Sequence, residues 1–484
     1  MKKIAVFFLF FIFCCSILNA ENMTGNRDTN KVSKQTGKVR KKELSSEDIF
    51  NSKIKKGWTF AVFPGISYNA DNGMMIGLAG NVYNYGNGSN FPDYRHSVFA
   101  QVLYTSKKSW IIRFRYDSDF AIPKTNLFVD VTYIPSKSLD FYGFNGRQSI
   151  YHHEWETAAL PETYLTRVFY RRQSDMFRSL VSFRGTIGEY LKWQAAVGVL
   201  GFIESVVNLE SFDNSLPANQ TDLYRLYQEW GLIKEAEAHG GWHPYLNIGL
   251  VYDSRNRKIN PSKGFFIDCF MTYNAAFGNL SDYNNLKLNL DFMHFVNLKA
   301  DRLILAYRIS TQNTIAGKSP YYLNNYQNEL FIERNQYYGL GGMTSLRGIL
   351  QSRVWVPGYA YLNLELRGRI VDFRIKRQHF YLGANAFVDA GMATQLVKYN
   401  EAELRYNVQS QLDDPNSWIS LNNKKFEDFF DLSANSYVPH FGAGLGLKLA
   451  MNENFVLSMD WAVPFSRQDN YTLANFYLVF GYQF

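Results

Sequence analysis

Residues 110–117 read WIIRFRYD, and neighbouring positions along this stretch differ sharply in chemistry. One set of alternate positions is apolar: Trp110, Ile112, Phe114 and Tyr116. The other set carries Arg113, Arg115 and Asp117. Successive side chains of a strand point to opposite faces. An apolar face against lipid and a charged face against water are typical of a transmembrane β-barrel strand.

The same alternation recurs along the chain, for example at residues 303–310, 361–370 and 441–449. It gives 16 or 17 candidate strands, because a single strand between residues 160 and 188 can be counted as two. Single-chain bacterial barrels have an even number of strands, so we predict 16. The longer polar stretches, which we predict to be extracellular loops, fall near residues 135–160, 205–240, 313–357 and 392–437. Two short turns, at residues 70–73 and 451–454, are predicted to be periplasmic.

The composition supports an all-β, antiparallel transmembrane barrel over a helical membrane protein. Aromatic residues make up 17% of the chain, as aromatic girdles at two membrane interfaces require. The mean hydropathy is −0.26, and no apolar run of helix-spanning length follows the first twenty residues. A barrel averages to such a polar composition because lumen-facing and lipid-facing residues alternate.

The N-terminal region differs from the rest. Residues 1–20 have the charged start and apolar core of a secretory signal peptide. Residues 21–57 are polar and basic, and residues 58–484 carry the strand pattern. Residues 1–56 hold 12 Lys and Arg against 5 Asp and Glu, whereas the remainder is nearly neutral. The excess charge is therefore a tail rather than a basic face, and no nucleic-acid partner is predicted.

The basic tail leaves several interpretations open. It could bind anionic headgroups, occupy the barrel mouth, dock a periplasmic partner or act as a solvated linker. Cys269 is the only cysteine after the signal peptide, so no intramolecular disulfide is expected.

The chain ends on an alternating aromatic strand, ANFYLVFGYQF, at residues 474–484. One face of it carries Phe476, Leu478, Phe480, Tyr482 and Phe484. This resembles the terminal signal that targets outer-membrane proteins to the barrel-assembly machinery, although a plain closing strand would look the same.

The first and last strands contain residues that weaken strand pairing. Pro64 and Gly65 lie in the first candidate strand, and Gly481 lies in the last. Proline cannot donate to a ladder and is tolerated mainly at edges and bulges. These residues predict a weak seam between the two strands; an ordinary bulge is the alternative.

A glycine-rich loop, YYGLGGMTSLRGIL at residues 337–350, precedes a strand with lipid/lumen alternation. It contains Gly341, Gly342, Arg347 and Gly348. Glu365 in NLELR and Asp389 in FVDAG lie on the predicted lumen faces of the next two strands. A loop folded back into the lumen could pair Arg347 with both carboxylates, because guanidinium–carboxylate pairing is directional.

This constellation resembles the Arg-Gly loop motif of the BamA superfamily, the barrels of bacterial surface antigen type that assemble or secrete proteins at the bacterial outer membrane. The segments YDSRNRKINPSKGF, FYGFNG and GAGLGLKLA also resemble the family in sequence order, so the resemblance covers roughly residues 58–484. Two departures are Leu346 before the arginine and Ile349 where an aromatic residue is usual. Residues 21–57 are too few for a POTRA module, which indicates the barrel-only branch.

The resemblance implies a barrel that assists insertion or translocation of polypeptides, with outer-membrane lipids and unfolded outer-membrane or secreted proteins as partners. The alternative is a channel or structural barrel without protein handling. We expect no enzyme activity, since no Gly-x-Ser-x-Gly elbow is present. No histidine spacing predicts a metal site, and no cofactor is expected.

Overall fold

The computed structural model describes residues 55–89, 93–212, 220–257, 260–278, 281–299, 301–326, 339–375, 378–451 and 455–480. The described residues from 55 onward form one compact unit. Within the described ranges, sixteen antiparallel strands pair in sequence order and close into a barrel through the first and last strands. The predicted fold class and strand number are therefore confirmed. The predicted signal peptide and all but the last three residues of the predicted tail lie outside the described ranges.

The strands are β1 (Trp58–Asn69), β2 (Gly73–Asn84), β3 (His96–Thr105), β4 (Trp110–Ile122), β5 (Thr125–Asp140), β6 (Arg171–Thr186), β7 (Leu191–Ser205), β8 (Gly240–Asp253), β9 (Gly264–Asn274), β10 (Asn285–Lys299), β11 (Leu303–Gly317), β12 (Gly358–Ile375), β13 (Gln378–Gln395), β14 (His440–Met451), β15 (Phe455–Pro464) and β16 (Asn475–Phe480). The stretch between residues 160 and 188 contains one strand, β6, so the double counting suspected there is resolved.

Alternation along each strand separates an apolar outer face from a polar inner face. Leu364 and Leu366 in β12 are 40% and 41% exposed, whereas Glu365 between them is fully buried. In β4, Phe114 is exposed on the outer face and Arg113 is buried. Because the barrel closes, the buried polar side chains face its interior, as the alternation predicts.

The connections differ strongly between the two ends of the barrel. Connections after odd-numbered strands share one end and include the four long ones, residues 141–170, 206–239, 318–357 and 396–439. The predicted long loops match these, except that β5 continues to Asp140 and displaces the first one along the chain. Connections after even-numbered strands are shorter, such as residues 187–190.

One turn was assigned to the wrong end. The β14–β15 connection follows an even-numbered strand and lies at the short-turn end, as predicted. The turn at residues 70–72 follows β1 and therefore lies at the long-loop end. Its shortness suggested a periplasmic turn, but strand order, rather than length, decides the end at which a connection lies.

Several long connections contain short helices: α1 (Leu223–Glu229), α2 (Glu235–Ala238), α3 (Tyr321–Tyr326), α4 (Glu401–Asp413), α5 (Trp418–Leu421) and α6 (Phe426–Phe429). Asp222 caps α1 by accepting a hydrogen bond from Arg225 N at 2.8 Å, and Asn400 caps α4. In the described part of the chain, no helix has the length and apolar character needed to cross a membrane.

The four long loops pack together in an aromatic cluster. The four loops together contribute Phe141, Tyr227, Trp230, Trp355 and Phe429 to it, and each of these is at most 3% exposed. The cluster also contacts inner-face side chains of β5–β9, such as Leu200 and Tyr245. The rings meet mostly edge to face, as between Phe141 and Tyr227 with centroids 5.3 Å apart. The clustered side chains of these loops therefore lie against inner-face side chains of the barrel wall.

Candidate functional site: the Arg347 loop and the first-to-last strand seam

The β11–β12 connection, residues 318–357, contains the predicted Arg-Gly motif. Gly341, Gly342 and Gly348 all have positive φ angles, of 121°, 83° and 91°. These values favour glycine because a Cβ is strongly disfavoured there. Gly342 N donates to Ile349 O at 3.0 Å and Leu346 N donates to Gly342 O at 3.1 Å, so residues 342–349 form a closed turn.

Arg347 is held by Asp389 of β13 through three hydrogen bonds. Its Nε and Nη2 donate to Oδ2 and Oδ1 at 2.8 and 3.0 Å, and its backbone N donates to Oδ2 at 3.0 Å. The guanidinium carbon lies 3.4 Å from the ring centroid of Phe387. Both charged residues are fully buried. The predicted pairing is present, and it fixes the loop backbone as well as the side chain.

The predicted contact with Glu365 is weaker than the contact with Asp389. The nearest Arg347–Glu365 nitrogen–oxygen distance is 3.8 Å, whereas Arg367 donates to Glu365 at 3.4 Å. Asn385 Nδ2 also donates to Glu365. Glu365 thus serves mainly as the partner of Arg367 on the same strand.

Asp460 of β15 is a partner of Arg347 that was not predicted from the sequence. Its Oδ2 accepts from Arg347 Nη1 at 3.4 Å, and its Oδ1 accepts from Lys448 Nζ at 2.7 Å. Asp460 lies in MDWAVPF, on the strand face opposite the exposed Trp461. The alternation around Trp461 was therefore the signal that could have identified it as an inner-face acid.

The two departures from the family motif pack well. Leu346 and Ile349 are fully buried and belong to an apolar cluster with Leu340, Val354 and Val356. A Cβ on Gly391 would lie 2.9 Å from the Leu346 methyl groups, so the glycine leaves the space that Leu346 occupies. An aliphatic side chain at position 349 therefore satisfies the packing in place of the expected aromatic residue.

The described part of the seam between β1 and β16 consists of two residue pairs. Among the described residues, Tyr68 pairs with Leu478 and Asn69 pairs with Tyr477. By contrast, β16 pairs with β15 along its whole described length, from Asn475 to Phe480. Continuing the seam register would place Ser67 opposite Val479, yet Val479 pairs only with β15.

The predicted seam residues Pro64 and Gly65 lie in β1 before the two described β1–β16 pairs. Pro64 and Gly65 pair with Leu78 and Gly77 of β2 in an unbroken register, so the alternative of a bulge is wrong for this strand pair. Neither residue pairs with the described part of β16. The outer-face residues Trp58 and Phe60 are 65% and 68% exposed, above the exposure of Leu364. Gly481 lies outside the described residues.

The described part of the closing strand has the predicted facial pattern. Phe476 lies on the outer face against Trp461, with ring centroids 5.2 Å apart, and Tyr68 lies 6.3 Å away on the other side. Leu478 follows on the same face, and Phe480 continues the strand opposite Leu457. Tyr477, between Phe476 and Leu478, is buried. Tyr482 and Phe484 lie outside the described residues, and the targeting role of the strand stays a prediction.

A closed antiparallel barrel with an apolar outer face and a polar inner face defines the class of transmembrane β-barrels. Residues 168–484 match the Omp85 superfamily domain, so the chain belongs to this superfamily of outer-membrane barrels. The predicted resemblance to the BamA superfamily is therefore confirmed. No curated protein matches the chain in sequence.

Solved structures show a similar fold at low sequence identity. BamA from Haemophilus ducreyi lacking POTRA domains 1-3 superposes with a TM-score of 0.50 at 16% identity, covering 87% of this chain and 70% of that chain. CdiB from Escherichia coli gives a TM-score of 0.47 at 11% identity, covering 88% of this chain and 63% of that chain.

Proposed function

We propose that this barrel assists the insertion or translocation of polypeptides at the outer membrane, and that it acts through the β1–β16 seam. The observation that carries the proposal is that, among the described residues, β1 pairs with β16 at residues 68–69 while Val479, next along β16, pairs with β15 and not with Ser67. Each residue fixed in a ladder contributes a backbone hydrogen bond, and an unpaired edge is a template for another strand. The proposal assigns no catalytic residue to the chain.

Membership of the Omp85 superfamily supports this proposal, because members of this superfamily handle polypeptide substrates in the outer membrane. The proposed partners are unfolded outer-membrane or secreted proteins, together with the lipids around the barrel. A role for residues 21–57 in docking a periplasmic partner is a further part of the proposal. The aromatic cluster argues against the alternative of an open channel, because long-loop side chains fill space against the inner wall of β5–β9.

The test is a reversible lock of the seam. The full mature chain, with Cys269→Ala, would carry Tyr68→Cys and Leu478→Cys, which replace an outer-face pair across the seam. The matched control is Tyr307→Cys with Leu364→Cys, a Tyr–Leu pair across β11 and β12. Each protein would be reconstituted in liposomes, and the folding rate of a urea-unfolded outer-membrane protein would be measured by gel shift, with empty liposomes alongside.

We expect the unlocked barrel to accelerate client folding over empty liposomes. Oxidation should abolish the acceleration in the seam variant, reductant should restore it, and the β11–β12 lock should have no effect. A barrel that is folded by its own gel shift yet gives no acceleration would favour a channel or structural role. Equal activity of the locked and unlocked seam variants would exclude the seam as the working part.

A further inference from the structure

We propose that residues 342–348 of the β11–β12 loop form a strap that holds β1 and β16 together, and that Asp71 is the anchor of this strap on the β1 side. This inference rests on the proposed function, because it describes what controls the seam. The loop makes hydrogen bonds on either side of the seam, to Asp71 after β1 and to Tyr477 of β16.

The first anchor lies in the turn between β1 and β2. Asp71 Oδ2 accepts a hydrogen bond from Met343 N at 2.6 Å, and Asp71 is 7% exposed. The preceding residue is Gly342, where an added Cβ would lie 2.9 Å from the same Asp71 oxygen. The loop backbone therefore approaches Asp71 more closely than a side chain at position 342 would allow.

The second anchor lies on β16 and the loop before it. Gly348 N donates to Tyr477 Oη at 3.1 Å. Gly348 O accepts from Asn475 Nδ2 at 3.2 Å and from Asn470 Nδ2 at 3.0 Å. A Cβ on Gly348 would lie 2.9 Å from the backbone of Val463 in β15. Both polar groups of this one peptide position are thus bound on the β16 side.

The segment between the two anchors is rigidly attached to the barrel wall. Arg347 is fixed to Asp389, and Ser345 O accepts from Asn363 Nδ2 at 2.6 Å. Because these contacts hold the strap to β12 and β13, the strap cannot move together with β1 or β16 when the two strands separate. Separation of β1 from β16 must break the Asp71 contact or the Tyr477 contact.

The strap lies beside the paired part of the seam. Tyr477, which binds Gly348, pairs with Asn69, and Asn69 is two residues before Asp71. The Asn69 side chain accepts from Asn72 N at 2.6 Å, so the turn that carries Asp71 is fixed to the end of β1. The strap contacts therefore lie beside the described seam pairs and reinforce them.

The test measures the seam itself rather than activity. Spin labels would be placed at Met74 of β2 and Val463 of β15, both on the exposed outer face on either side of the seam, in a Cys269→Ala background. Electron–electron distances would be compared in liposomes for the parent, Asp71→Ala, Asp71→Asn and Tyr477→Phe. Asp413→Ala, in the exposed part of α4, is the matched control.

We expect Asp71→Ala and Tyr477→Phe to shift the label distance to longer values and to broaden it. Asp71→Asn should stay close to the parent because it keeps an acceptor for Met343 N. An unchanged distance in both Asp71→Ala and Tyr477→Phe would overturn the strap. Tyr477→Phe keeps the buried ring, so it provides the answer even if Asp71→Ala fails to fold.

The outcome is distinguishable from failure of the proposed function. A seam that widens in Asp71→Ala while the parent barrel still accelerates no client would support the strap and reject protein handling. A seam lock that abolishes client folding, with no widening in the strap variants, would support the function and reject the strap.

Discussion

Arg347 and Asp389 are joined through both the side chain and the backbone of the arginine. Two guanidinium nitrogens and the Arg347 amide donate to the two Asp389 oxygens at 2.8–3.0 Å. A bidentate ion pair fixes the orientation of a side chain, and the added amide bond also fixes the loop backbone. This pair therefore determines where the whole turn at residues 342–349 lies.

Arg347→Ala should destabilise the barrel strongly. It leaves buried Asp389 without its cation, and Asp460 keeps only its contact with Lys448. Breaking one partner of a buried ion pair costs about 3–5 kcal/mol. The free energy of unfolding would be measured by urea titration in micelles, with folded and unfolded protein separated by gel shift. Arg405→Ala removes a guanidinium from an exposed pair with Glu401 and should cost less than about 1 kcal/mol. Equal losses in the two variants would show that the Arg347 network contributes no special stability.

Gly348→Ala should also destabilise the barrel, through the backbone rather than through charge. Gly348 has a φ of 91°, and its added Cβ would lie 2.9 Å from the Val463 backbone. The left-handed conformation alone costs an L-residue about 1–2 kcal/mol. Gly188→Ala is the control, since a Cβ there meets nothing within 4 Å. The same urea titration should show a loss for Gly348→Ala only.

Much of the architecture could be predicted from the sequence because each strand is independently amphipathic. The alternation at Trp110–Ile122 and Gly358–Ile375 identifies both the strand and its lipid-facing side. The pairing of Arg347 with Asp389 could be predicted because the loop motif contains a cation and the next two strands carry acids on their inner faces.

Asp71, Asp460 and Tyr477 could not be assigned to the site in the same way. Each contacts the loop across more than 100 residues of sequence, and contacts of this kind depend on barrel closure and register. The turn at residues 70–72 carried no sign of the end at which it lies, because a short turn fits either end. The aromatic cluster was missed for a similar reason: its rings come from four loops whose periodicity is irregular, so no local pattern marks them as buried together.

The aromatic cluster predicts that the barrel conducts ions poorly. Trp355 is 1% exposed, and its Nε1 donates to Tyr321 O at 2.8 Å, which joins residues of the same loop within the cluster. Single-channel recordings in planar bilayers should show a low conductance for the parent and a higher one for Trp355→Ala, since the lost indole leaves a void. Tyr406→Ala changes a 74% exposed ring and should leave the conductance unaltered. A large, steady conductance of the parent would revive the channel alternative.

The stability of the barrel should depend on pH through Asp71. Burial raises the pKa of Asp71 to about 6, although the hydrogen bond from Met343 N and the charge of Lys107 favour the carboxylate, while Asp140 opposes it. The folded state therefore binds a proton more tightly than the unfolded chain, whose carboxyl titrates near 4. The stabilisation is complete below about pH 4 and is lost as the pH rises to about 6. It amounts to about 3 kcal/mol at most, at about 1.4 kcal/mol for each pKa unit.

Asp71→Asn isolates this contribution because the amide keeps an acceptor and does not titrate. Urea titrations of both proteins would be run at half-unit steps from pH 4 to pH 7, and the difference in unfolding free energy would be plotted against pH. Other titrating groups are shared by the two proteins and cancel in this difference. We expect the parent to lose stability relative to Asp71→Asn as the pH rises from 4 to 6 and to run parallel to it above 6. A difference that does not vary with pH would mean that the Asp71 carboxyl titrates in the folded barrel as it does in the unfolded chain.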